Sequence, residues 1–166
     1  VGLRVATISG SAGWTDSSSD LQKRVYGIGD VDGDGFADVG LGGGALAGFC
    51  VVYGFAEDSE SGLDVVLSDP IGSHHACQAG TTGSQFGTPL VALGDVNGDG
   101  VDDLGVGEGF GTGHPYRVSV FLGRTGQALA DAPNVVITGM NNVVAGVKLA
   151  GGGDFDGDGR PDILIG

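Results

Sequence analysis

Positive charge is scarce in this chain. Seven Lys and Arg stand against 21 Asp and Glu, a formal net charge of −14 over 166 residues. A nucleic-acid partner needs a basic face to meet its phosphates, and an anionic membrane surface needs the same, so neither is expected. No apolar run approaches the ~20 residues of a membrane span, so no membrane insertion is expected. Cysteine is limited to Cys50 and Cys77, too few for a disulfide scaffold. The pair is either one bridge formed in an oxidising compartment or two buried thiols. A signal-peptide pattern is missing and the chain begins at Val1 without Met, which reads as a mature or excised piece. Helical periodicity of useful length is missing too.

Glycine, by contrast, is abundant. Its 36 residues are about three times the usual ~7 % share, with no collagen-like period. An apolar share of 40 % and a positive mean hydropathy argue against disorder. Many glycines among short apolar runs point to an all-β protein with tight turns.

One pattern occurs three times: Asp30-Val31-Asp32-Gly33-Asp34-Gly35-Phe36-Ala37-Asp38, Asp95-Val96-Asn97-Gly98-Asp99-Gly100-Val101-Asp102-Asp103 and Asp154-Phe155-Asp156-Gly157-Asp158-Gly159-Arg160-Pro161-Asp162. Oxygen-bearing side chains stand at positions one, three, five and nine, and Gly at position six. These twelve places hold eleven Asp and one Asn, about half of all the acids. Such a set suits a hard divalent cation. Calcium takes six to eight oxygens, and Gly at position six permits the sharp turn. Position seven (Phe36, Val101, Arg160) is expected to give its carbonyl, by analogy with other such loops. No Cys or His lies in any copy, so zinc and copper fit poorly. Magnesium, with its stricter octahedron, ranks second. Three calcium ions would bring the charge from −14 to −8. An EF-hand would need an acid at position twelve, where Leu41, Val106 and Ile165 stand. Metal-free acidic turns are the plainer alternative, but converging carboxylates repel without a cation.

The copies recur at a spacing near 60 residues, which suits four short strands, A to D, per repeat. Period-two alternation predicts strand A at Arg24–Gly29, Leu90–Gly94 and Val147–Gly151, and strand B at Asp38–Gly42, Asp103–Gly107 and Asp162–Gly166. Strand C is expected at Phe49–Tyr53 and Arg117–Leu122, and strand D at Asp64–Leu67 and Asn134–Thr138. Arg4–Gly10 reads as a lone strand D. The metal loop is the A–B turn. Small Gly partners suit strands crowded near an axis.

Gln85-Phe86-Gly87 before strand A, then the acidic loop, then a strand ending in glycines, resembles the FG-GAP repeat. That repeat builds the β-propeller at the head of integrin α subunits. The likeness covers nearly the whole chain. It departs where the closing Gly-Ala-Pro is replaced by Gly42-Gly43-Gly44 or Gly107-Glu108-Gly109, and where Phe-Gly is missing ahead of the first and third loops. Val144-Ala145-Gly146 stands in the latter place.

The resemblance implies integrin-like propeller blades, four-stranded antiparallel sheets, as an incomplete propeller in one chain. The expected division is 1–20, strand D of a partial blade and a loop; 21–86, a blade with calcium loop 30–38; 87–146, a blade with loop 95–103; and 147–166, a partial A–B hairpin with loop 154–162. Roughly 2.7 blades cannot close alone, since propellers need four to eight. Two copies could close the ring, the terminal hairpin of one joining the lone strand D of the other in a homodimer. The implied role is a secreted or cell-surface, calcium-stabilised module that binds a protein ligand, with calcium structural. A carbohydrate-binding propeller lectin and a non-catalytic part of a secreted polysaccharide-active enzyme or phospholipase are the alternatives. No enzyme activity is expected: there is no Gly-x-Ser-x-Gly, no supported Cys–His pair and no cluster of basic residues.

Other features read as plainer. His74-His75 and His114-Pro115 are expected in exposed loops. Gly40–Ala45 matches a dinucleotide fingerprint formally but lacks a following helix. Asp16-x-Ser18 is followed by Asp20 and reads as a solvated loop. Trp14, Phe110 and Tyr116 line a ligand site or cap the sheets.

Overall fold

The computed structural model describes residues 7–9, 24–43, 48–55, 64–66, 74–81, 84–109, 116–138 and 148–166. Twelve strands and no helix are found among them. They are β1 (Thr7–Ser9), β2 (Arg24–Gly29), β3 (Asp38–Gly42), β4 (Gly48–Val52), β5 (Asp64–Val66), β6 (His75–Ala79), β7 (Leu90–Gly94), β8 (Asp103–Glu108), β9 (Arg117–Phe121), β10 (Val135–Ile137), β11 (Leu149–Gly153) and β12 (Asp162–Ile165). Two four-stranded sheets result, in the orders β2-β3-β4-β6 and β7-β8-β9-β10. Their strands are all antiparallel, each sheet a propeller-like blade. The pair β11–β12 begins a third sheet of the same kind.

The strands form where the alternation predicts them, with one exception. The fourth strand of the first blade is β6, not Asp64–Leu67. β6 pairs with β4 in the register Phe49↔Gln78, Cys50↔Cys77, Val51↔Ala76 and Val52↔His75. Asp64–Val66 instead pairs in parallel with Thr7–Ser9, so these three residues of the expected lone strand D have a partner within the chain. The reason is chemical. The apolar run Asp64–Leu67 has the stronger strand pattern, but Cys77 lies directly opposite Cys50, and the two are joined in a disulfide. His75 is 2 % exposed within β6, and only His74 stands in solvent, stacked on Phe55 at 4.1 Å between ring centroids. The expectation of an exposed His74-His75 loop is corrected accordingly.

The core runs through the seam between the two blades. Phe49 stands edge-on to Phe86 and to Phe121, at 5.5 and 5.4 Å between centroids. Ile28, Val31, Val51, Leu90, Leu104 and Val106 surround them. Every residue of β4 and of β8 is buried. Glycine makes this approach possible. A Cβ on Gly40 would stand 2.8 Å from Leu90 Cδ1 and 2.9 Å from Ile28 Cγ2. One blade further, a Cβ on Gly105 would meet Leu93 Cδ2 at 2.9 Å and Leu149 Cδ2 at 3.0 Å. In both places the first residue of the following blade's inner strand fills the space left by a Gly.

Phe86-Gly87 belongs to the same seam. The Gly48 N–H donates to Phe86 O (2.7 Å), and the Gly87 N–H donates to Gly107 O (3.1 Å). The motif is therefore hydrogen-bonded to both blades. Its counterpart Val144-Ala145-Gly146 lies outside the described residues.

The Cys50–Cys77 bridge closes a loop with a sequence separation of 27. Loop-closure entropy gives such a bridge about 3.5 kcal/mol. The double change Cys50→Ser with Cys77→Ser should lower unfolding free energy by about that amount in urea denaturation. A loss under about 1 kcal/mol would mean that β6 holds its place without the bridge.

Candidate functional site

The three acidic loops are β-turns between inner and second strands: β2–β3, β7–β8 and β11–β12. Each inner strand carries a bulge just before its loop, which bends the chain into the turn. Inside the loops one hydrogen-bond pattern repeats. The position-one carboxylate accepts from the N–H groups of positions five and six. The distances are 3.1 and 2.8 Å at Asp30, 2.9 and 2.7 Å at Asp95, and 3.1 and 2.9 Å at Asp154. The position-three oxygen (Asp32, Asn97, Asp156) accepts from the position-five N–H at 3.2, 2.9 and 3.0 Å. The position-five oxygen (Asp34, Asp99, Asp158) accepts from the position-seven N–H at 2.8, 3.0 and 2.8 Å.

Glycine is required twice per loop. Positions four and six have φ of +67° and +95° at Gly33 and Gly35, +79° and +90° at Gly98 and Gly100, and +82° and +88° at Gly157 and Gly159. A side chain disfavours that region. Position four is constrained as tightly as position six, and the repetition of Gly at 33, 98 and 157 was the signal for it.

Position nine does a second job. The Asp38 carboxylate accepts the Val31 N–H (2.8 Å) and the Gly54 N–H (2.7 Å) beyond the end of β4. Asp103 likewise accepts from Val96 (3.0 Å) and Gly123 (2.9 Å) beyond β9. Asp162 accepts from Phe155 (2.6 Å). Asp38 and Asp103 are 1 % and 0 % exposed. Burial pushes the Asp38 carboxyl up to about 6, against its two backbone hydrogen bonds, with Asp32 and Asp30 adding to the rise. Burial also raises Asp103, and it raises Asp32 together with the charge of Asp34. Asp95 is lowered, first by the Gly100 N–H. A buried carboxylate beside others of its own sign is a group that a cation would relieve.

Carboxylate oxygens of Asp30, Asp32 and Asp38 lie within 4.8 Å of one another, and so do those of Asp154, Asp156 and Asp162. The donor sets are oxygen only, so both clusters fit a hard cation. Asp34 and Asp158 stand outside the two groups. In the middle loop Asp95, Asp99 and Asp103 keep the same backbone bonds, and Asn97 Nδ2 donates to Asp99 Oδ2 (2.9 Å). Of the other candidates, Tyr116 packs its ring against Gly109, a packing contact. Trp14, Asp16, Ser18, Asp20, Phe110, His114 and Pro115 lie outside the described residues.

Residues 95–165 match the FG-GAP-like repeat. Rat integrin alpha-7 is 32 % identical over 145 residues, 82 % of this chain and 12 % of that protein. Mouse integrin alpha-E is 36 % identical over 97 residues, 52 % of this chain and 8 % of that protein. Chinese hamster integrin alpha-3 is 26 % identical over 179 residues, 95 % of this chain and 17 % of that protein. The chain thus spans less than a fifth of the length of these relatives.

The double role of position nine has a measurable signature. In the presence of chelator, Asp103→Ala should cost about 2 kcal/mol or more, since it leaves the Val96 and Gly123 N–H groups without their acceptor. Asp162→Ala removes one acceptor at a more exposed loop and should cost under about 1 kcal/mol. Urea denaturation of the two variants compares them. Equal losses would argue that the link from loop to third strand contributes nothing.

Proposed function

As the chain belongs to the FG-GAP repeat family, with integrin-like sequence over most of its length, we propose that it is a calcium-stabilised module for protein binding or adhesion outside the cell. The observation that carries this reading is one loop pattern built three times, with oxygen-only clusters in its first and third copies. Asp30, Asp32, Asp34 and Asp38 would hold one ion. Asp95, Asn97, Asp99 and Asp103 would hold a second, and Asp154, Asp156, Asp158 and Asp162 a third. The backbone carbonyls of Phe36, Val101 and Arg160 are proposed to complete the shells. Bound calcium would supply the positive charge that offsets the buried Asp38 and Asp103 carboxylates. That role is structural, and the module is proposed to be non-catalytic.

An extracellular or cell-surface setting agrees with this. The Cys50–Cys77 bridge belongs to an oxidising compartment. Calcium modules outside cells work at roughly 10⁻⁴–10⁻³ M affinity. The ligand, a protein or a glycan, is proposed to meet the connections at the ends of the blades opposite the acidic turns. Pairing of two copies to complete a ring is a further proposal, which light scattering tests.

Calcium removal tests the reading directly. With ion at about 100-fold above each dissociation constant, one site adds roughly 2.7 kcal/mol and three independent sites about 8 kcal/mol. For a chain of this size, 1 kcal/mol moves the melting point by about 2–4 °C. Chelator should therefore lower the calorimetric Tm by about 15–30 °C, and added calcium should restore it. An unchanged melting curve sinks the calcium reading.

A further inference from the structure

The three loops share the internal hydrogen bonds given above, the second and third adding one from the position-four N–H to the position-one carboxylate (2.6 and 2.7 Å), and they differ in what supports them from outside. This difference, taken with the calcium reading above, carries an inference about Asp102. We propose that Asp102 is a positioning residue for the first cation site, acting across the seam between the two blades.

Asp102 is position eight of the second loop, where the family pattern asks for no particular side chain. Its N–H donates to Asp30 O (3.1 Å), and its Oδ2 accepts the Asp30 N–H (3.0 Å). Asp30 is thus held on both sides of its Cα by one residue of the next blade. The turn after β9 extends the grip. Its Arg124 N–H donates to Val31 O (3.2 Å), and its Gly126 N–H donates to Asp32 O (2.6 Å). Positions one to three of the first loop are therefore fixed by four hydrogen bonds from the second blade. Those positions carry two of the three converging carboxylates, Asp30 and Asp32. Gly29, at φ +81°, leaves the space that the Asp102 carboxylate fills.

The same seam one blade further on supplies an internal comparison. Pro161 holds position eight of the third loop and stands against Gly94 as Asp102 stands against Gly29, its Cγ 3.0 Å from where a Gly94 Cβ would lie. Proline has neither an N–H nor a carboxylate, so the reciprocal pair to Asp95 cannot form. The second loop lacks that pair; it has its own Gly98 N–H on Asp95 Oδ1 (2.6 Å), and the Arg160 side chain of the third loop comes to 3.8 Å from where a Gly98 Cβ would lie. Pre-organised ligands bind a cation more tightly, and residues that orient them are commonly worth tenfold or more in affinity. By linkage, an ion in the first loop tightens the seam by the factor by which the seam tightens the ion.

The test uses the whole chain and calcium alone. Two-dimensional amide NMR follows Gly35 and Gly100, the position-six glycines of the first and second loops, during titration. Asp102→Ala should weaken calcium at Gly35 by roughly tenfold and leave Gly100 unchanged. Asp102→Asn keeps an acceptor oxygen but loses the charge, and should stay near wild type. In metal-free protein the Asp30 amide should exchange faster in the alanine variant than in the asparagine variant. Pro161→Asp installs the missing pair and should tighten calcium at Gly100 several-fold, with Pro161→Asn close behind it; a gain of this kind cannot come from misfolding. Several outcomes overturn the proposal: an alanine variant equal to wild type at Gly35, equal losses at Gly35 and Gly100, an asparagine variant as weak as the alanine one, or no gain from Pro161→Asp. Wild-type protein with no calcium response at Gly35 overturns both this proposal and the calcium reading, which separates the two failures.

Discussion

A single carboxylate holds each complete blade together at its acidic end. Asp38 accepts one N–H from its own loop and one from the far end of β4, and Asp103 repeats this with β9. The loop is thereby tied to a strand that is not its covalent neighbour. Burial makes both carboxylates costly in ionised form, and the cost lies where three or four acids meet. The remaining geometry follows from this constraint. Positions four and six must be glycine so that the chain can wrap inward, and positions one, three and five must accept backbone N–H groups to fix the wrap.

Much of this was legible in the sequence, because the loop is a local object. Its hydrogen bonds span two to seven residues, so spacing alone encodes them. The inner strands and the β4 and β9 strands were legible as well, since alternation of apolar and small residues reports a face packed on a neighbour. The fourth strand of the first blade was not. His75-Ala76-Cys77-Gln78-Ala79 lacks an apolar stripe, and it lies on β4 with one cysteine facing and bonded to another. Asp64-Val65-Val66 has the stripe but pairs elsewhere. A strand whose partner is chosen by a covalent bond carries little of that choice in its own hydropathy.

Contacts between blades were the other gap. Nothing in the nine-residue pattern marks Asp102 or Pro161, because position eight serves a different loop from the one it sits in. The Leu90–Gly40 and Leu149–Gly105 contacts are equally remote in sequence. Such pairs become visible only once the repeats are stacked, and they make each loop partly the property of its neighbour. The Tyr53 hydroxyl, which accepts the Leu129 N–H at 2.9 Å across 76 residues, belongs to the same set.

Phe86-Gly87 bears on how such a chain can change over generations. The segment is at once the covalent crossing and the adhesive: its carbonyl faces one blade, its amide the other, and its ring fills the core between them. Adding residues there would lengthen the path and pull the wedge from its slot, parting two sheets at once. Lengthening an outer connection would disturb only its tip. Insertions should thus accumulate at the outer connections and be purged from the crossing, so variation in length among relatives would trace the seam without any coordinates.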